Sequence, residues 1–155
     1  MIWNRMAWTA SVFVALSSAA MASAGSYGFV VDVSLSAKAA ALLHDRKVAV
    51  VVAADYQGDP IPSKEAFAAK LGAGPLGVGE ELVTIPGSGG RAAVTGKGVV
   101  RKWVGWVKRL DVLVNVSSGG GSGSDNLLDC GIFEDSLARA QEKPVEISCK
   151  LLDEK

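Results

Sequence analysis

Val145-Glu-Ile-Ser-Cys-Lys-Leu151 alternates without a break. Val145, Ile147, Cys149 and Leu151 fall on one face, and Glu146, Ser148 and Lys150 on the other. This period of two marks a strand with one buried face. Cys149 therefore points into whatever the strand covers. The only other cysteine is Cys130, and an amphipathic segment, Gly131 to Lys143, separates the two. A bond between them would tie that turn and helix to the core. The clamp, Asp125 to Leu152, is the piece onto which the rest of the chain closes as sheet.

The opposite terminus is of a different kind. Met1-Ile-Trp-Asn-Arg5 carries one positive side chain and no acid, and Met6 to Leu16 is apolar apart from Thr9 and Ser11. Small residues follow and end in Ala22-Ser23-Ala24, an A-x-A cleavage pattern before Gly25. Residues 1–24 are expected to be a signal peptide. The apolar run is too short and too rich in Ser and Ala for an anchor, and no cysteine near the cleavage point could carry a lipid. Residues 25–155 then form one β-rich domain, long enough for a core of its own, with no transmembrane segment. The expected location is exported, periplasmic or secreted. In an oxidising compartment two cysteines are most simply one disulfide. Closing a loop of that size stabilises the fold by about 3 kcal/mol in the chain-entropy account. Two free thiols or a metal pair are the alternatives. The metal pair lacks ligands, because His44 is the only histidine and a structural zinc needs about four Cys or His.

Between the two ends the chain reads as short strands and short helices. Tyr27 to Leu35 alternates as a half-buried strand. Ser36 caps one or two helical turns over Ala37 to Leu43, closed by His44-Asp45. Val48-Ala-Val-Val-Val-Ala-Ala54 is apolar on both faces, which suggests a central strand covered on two sides. A short helix over Ser63 to Leu71 places Phe67 and Leu71 on one face. Glu81 to Ile85 reads as a strand, with Arg91 to Thr95 as its hairpin partner, and Asp111 to Ser117 as another strand. Residues 98–110 are divided between two readings. Val99, Trp103, Trp106, Val107 and Leu110 make a helical stripe, whereas the valines and tryptophans favour strand by propensity. The spacing tips the choice to a short amphipathic helix. The sum is six or seven strands and two or three short helices in a mainly β, single-domain sandwich or partly open barrel. The alternative is an α+β layer with helices on one face of a single sheet.

Motifs of chemistry are scarce. Gly72-Ala-Gly-Pro-Leu-Gly77 matches G-x-G-x-x-G in letters only, since a helix precedes it and Pro75 interrupts it. Gly96-Lys97 lacks the glycine and the Ser/Thr of a P-loop. Asn115-Val-Ser117 is a glycosylation sequon inside a strand. There is no G-x-S-x-G elbow. Asp125, Asp129, Glu134 and Asp135 do not have EF-hand spacing, and Asp129 or Asp135 is better read as a cap. No catalytic residue, cofactor site or metal site is nominated.

Charge is the surface signal. Residues 91–110 hold six bases, Arg91, Lys97, Arg101, Lys102, Lys108 and Arg109, and no acid. Residues 125–155 hold eight acids against four bases. The whole chain is neutral, which argues against nucleic acid as partner. Cations interleaved with tryptophan suit an anionic envelope polymer, an anionic lipid surface or a groove on a secreted protein. Arg101, Lys102, Trp103, Trp106, Lys108 and Arg109 are thus the candidate binding surface, joined in this reading by the glycine loops 86–90 and 118–124. The competing reading makes the tryptophans core and the bases a solvated outer face.

Asp125-Asn-Leu-Leu-Asp-Cys130 with Pro144-Val-Glu-Ile-Ser-Cys-Lys-Leu151 resembles the C-terminal segment of small exported bacterial proteins of unassigned function. The resemblance implies a structural disulfide between Cys130 and Cys149 and a periplasmic home, and supplies no activity. The expected function is a non-enzymatic binding or envelope-associated module. An inhibitor of a secreted hydrolase, presenting a loop in the 118–126 region, is the alternative, and a hydrolase with converging carboxylates comes third.

Overall fold

The computed structural model of the chain describes residues 26–119 and 126–154. The expected signal peptide and the greater part of the 118–124 loop lie outside them. Eight strands are described: β1 Phe29–Leu35, β2 Ala49–Gly58, β3 Leu76–Ile85, β4 Gly90–Val94, β5 Asp111–Gly119, β6 Leu128–Cys130, β7 Phe133–Ser136 and β8 Val145–Leu151. They form two four-stranded sheets, ordered β4-β1-β8-β6 and β3-β2-β5-β7, which do not close into a barrel. The fold is the mainly β sandwich.

The strand that decided the reading is central in the first sheet. β8 pairs in parallel with β1, Val33 opposite Ile147, and antiparallel with β6, where Cys130 and Cys149 are direct cross-strand partners. Its burial alternates along its length, with Val145, Ile147 and Cys149 inside. The two sulfurs are bonded. Cys149 is buried and Cys130 is half-buried, so the bond fastens a three-residue edge strand to the sheet's interior. The helix that follows in the clamp, α4 Leu137–Glu142, takes Ser136 as its cap, whose hydroxyl accepts from the Arg139 N–H.

β2 is central in the second sheet, but it is covered on one side. Val50, Val52, Ala54 and Tyr56 are buried between the sheets, while Val51, Ala53 and Asp55 are half-buried on the outer face. Their neighbours there, Thr84, Leu82, Ser117 and Asn115, are small, polar or exposed. An alanine- and valine-rich outer row needs no second cover, because its apolar area per residue is small. The core closes between the sheets where Phe29 of β1 meets Tyr56 of β2 edge-on at 6.3 Å. It extends to Leu43 of α1, Ala37–Arg46, which links the sheets. Ser36 caps α1 through its hydroxyl, and the helix runs past His44 and Asp45 to a left-handed Lys47.

One strand pairing differs from the sequence expectation. β4 does not pair with β3. After the turn at 86–89 it crosses to the other sheet and pairs with β1, Asp32 opposite Arg91, where the two side chains make a bidentate ion pair at 2.8 Å. Crossing sheets leaves the carboxyl of Glu81, on the inward row of β3, free to reach the end of β4. It accepts from the Thr95 N–H at 3.0 Å, the Thr95 hydroxyl at 2.9 Å and the Gly96 N–H at 2.8 Å. Four α-helices are described, among them α2 Glu65–Leu71 and the one-turn α3 Arg101–Val104.

Candidate functional site

Strand direction decides which loops can share a surface. β2 ends at Gly58, and β3 and β5 begin beside it, with Gln57 opposite Gly77 and Asp111. β4 ends at the same level, since Val94 pairs with Phe29 at the start of β1. The connections 59–75 and 95–110 therefore meet at one end of the sandwich. The turn 86–89 and the end of β5 at Gly119 lie at the other, beside Val50 and Ala49. Ten residues of β2 separate the ends, about 30 Å at the rise of an extended strand. The loop 86–90 and the described start of the other glycine loop, Ser118 and Gly119, thus lie at the opposite end from the tryptophan segment.

The two connections are laced together by backbone. The Ile61 N–H donates to the Trp106 carbonyl at 2.8 Å, and the Lys108 N–H to the Asp59 carbonyl at 2.8 Å. Val99 bridges to Gly79, and the Val100 N–H reaches the Val78 carbonyl. Gly79 and Gly98 permit this approach. A β-carbon on Gly79 would strike the Gly98 carbonyl, and one on Gly98 the carbonyl of Glu80.

The lobe built this way carries the aromatics. The expected helix over 98–110 shrinks to the single turn of α3, ended at Gly105. The chain then turns at Gly105 and Trp106 and bridges to Pro60 at Val107. The helical stripe still faces inward. Val99 and Val107 are buried, and Trp103, Trp106 and Leu110 pack half-buried against the core. The tryptophans are neither core nor free surface. Their rings stack with centroids 5.9 Å apart and planes 21° from parallel. Phe67 of α2 stands nearly perpendicular to both, 5.3 Å from Trp106 and 6.5 Å from Trp103. The Lys64 ammonium lies 4.1 Å from the centre of the Trp106 ring and that of Lys102 5.9 Å from Trp103, both within cation–π range.

Four of the six candidate residues lie on or beside this turn, and two behave differently. Arg101 and Lys102 are exposed on α3 with Trp103, and Trp106 follows one turn later. Lys108 is exposed at the bend beyond them. Arg109 is committed elsewhere, its Nε 2.6 Å from Asp111. Among the described residues Lys64, Lys70, Arg101, Lys102 and Lys108 make no ion pair. Sequence reasoning saw Phe67 as a helix-face residue but not as part of the stack, and it missed Lys64. Their partners are some forty residues away, and only the meeting of two connections at one end of the sandwich joins them.

The buried acids lie outside the lobe. Burial pushes the Glu81 carboxyl up, but the Thr95 and Gly96 donors and the nearby Lys97 outweigh it, leaving the group below its ordinary value. Tyr56, raised by its burial and by the charge of Glu81, stays a phenol and donates to the Tyr27 carbonyl at 2.9 Å. On the outer face of the second sheet Asp55 faces Glu80 across the strands, and burial raises Asp55. That pair sits on an open sheet face. Concavities occur instead beside the disulfide and beside Asp32 and Arg91. Among the described residues no group of three His, Cys, Asp or Glu side chains is placed to hold a metal ion, and no helix is long and apolar enough to cross a membrane. Comparison with family models, curated proteins and solved structures finds no match to this chain.

Proposed function

We propose that the protein is an exported, non-enzymatic binding module whose recognition surface is the aromatic lobe of Phe67, Trp103 and Trp106 with its surrounding cations. One observation carries the reading. Three large aromatics are gathered at one end of the sandwich without being buried, with Lys64 over Trp106 and Lys102 over Trp103, and among the described residues neither lysine has a carboxylate partner. A purely structural cluster would bury its rings, since each full burial of such a side chain stabilises by about 2–3 kcal/mol. Leaving them half-covered keeps apolar surface for a partner, and the cations select one that is anionic. The disulfide agrees with export, because such bonds persist in oxidising compartments.

The charge-reversed variant Arg101→Glu/Lys102→Glu tests the reading on an immobilised sulfated polysaccharide. Both side chains are exposed, so the fold is kept. The proposal expects the wild type to be retained and to elute at raised salt, and the variant to pass through. Equal retention of both would remove the lobe from the binding surface.

A further inference from the structure

The shape of the lobe bears on which anionic partner it meets. A sugar ring binds tryptophan by lying on a flat, open π-face. Here the Trp103 and Trp106 rings lie on one another, Phe67 stands against both, and the Lys64 ammonium sits over Trp106. The open faces are thereby reduced. What projects instead is the apolar side of α2. Phe67 is 39 % exposed and Leu71, one turn on, is 61 % exposed, among the few large apolar side chains so placed. Lys64 precedes them and Lys70 lies between them in the chain, and Lys102 of α3 stands over Trp103, the ring that Phe67 meets edge-on. Glu65 is the single acid of α2.

Two apolar tips ahead of half-buried tryptophans, ringed by cations, fit a bilayer interface. Leucine and phenylalanine enter the acyl boundary, indole rings settle at headgroup depth, and ammonium and guanidinium groups meet the lipid phosphates. Resting on the reading of the lobe as a recognition surface, we infer that its partner is an anionic lipid bilayer, which the protein meets peripherally through Phe67 and Leu71. A soluble polyanion would use the cations and leave these two residues idle. A bilayer uses both.

The test is flotation of the protein, purified as the cell exports it, with phosphatidylglycerol-containing vesicles and with pure phosphatidylcholine vesicles. Phe67→Ser/Leu71→Ser is the informative variant, and its unfolding curve reports whether the fold is intact. The inference expects binding to the anionic vesicles alone, reduced by raised salt, and weakened about tenfold or more in the variant, as loss of buried apolar contact at an interface requires. Wild-type flotation by the variant, or equal flotation on both vesicle types, overturns it. If vesicles are not bound while the sulfated polysaccharide is, the lipid inference falls and the lobe remains a polyanion site. If neither is bound, both readings fall.

Discussion

The clamp at the C-terminus and the lobe at the end of the sandwich are the two regions with the most distinctive residues, and they use them in opposite directions. The clamp turns its special chemistry inward. Cys149 is buried on a central strand, and the bond to Cys130 holds an edge strand in register. The lobe stops halfway. Its tryptophans pack half-buried against the core, stacked on one another with Phe67 edge-on to both. The difference teaches that rare residues mark fastening or recognition according to how far the fold buries them. Burial is set by the strand or turn that carries them. An alternating strand must bury one face. A four-residue helical turn ended by Gly105 need not.

This contrast predicts that damage to the inward region costs stability and damage to the lobe costs binding. Reducing the Cys130–Cys149 bond, or replacing both residues by alanine, is expected to lower unfolding stability by about 3 kcal/mol. Urea denaturation with and without reductant measures it. The Glu81 clasp, 3 % exposed, comes next. Glu81→Gln keeps the shape but turns an amide toward the donors of Thr95 and Gly96, and should cost about 2 kcal/mol by the same curves. The sign of its pH dependence follows from its lowered value in the folded state. The stabilisation is complete above the ordinary value of 4.5 and is lost as pH falls through the folded-state value. The wild type should therefore lose stability faster than Glu81→Gln in the acid range. Tyr56→Phe removes one hydrogen bond to the Tyr27 carbonyl and should cost about 1 kcal/mol. Smallest of all, Leu71→Ser, at a position 61 % exposed, should move stability by less than about 0.5 kcal/mol, as substitution of an exposed position does. A large loss there would make the lobe part of the core and erase the contrast.

The fold was largely legible because it rests on alternation. The strands at 29–35, 111–117 and 145–151 and the Ser36 cap followed from period and propensity. β6 and β7 escaped notice, because three or four residues carry too little pattern. β4 was assigned to the wrong partner because a turn shows that the chain reverses but not which sheet it enters. Glu81 left a faint trace, an acid on the same face as Val83 and Ile85. An acid in an inward row signals a carboxylate with buried donors. For the candidate site, the basic and tryptophan residues were visible in the sequence, whereas Phe67 and Lys64 were joined to them only by tertiary structure.

The most direct test of the lobe as a recognition surface is the tryptophan emission of the purified protein, recorded as phosphatidylglycerol-containing vesicles are added. In protein that lacks residues 1–24, Trp103 and Trp106 are the sole reporters, and the intact mass of the purified protein establishes that. The account predicts emission intermediate between buried and solvated indole that shifts to the blue on addition of vesicles, with the shift lost in Phe67→Ser/Leu71→Ser. Emission already fully blue and unmoved by the vesicles would mean that the rings are core, and would contradict it.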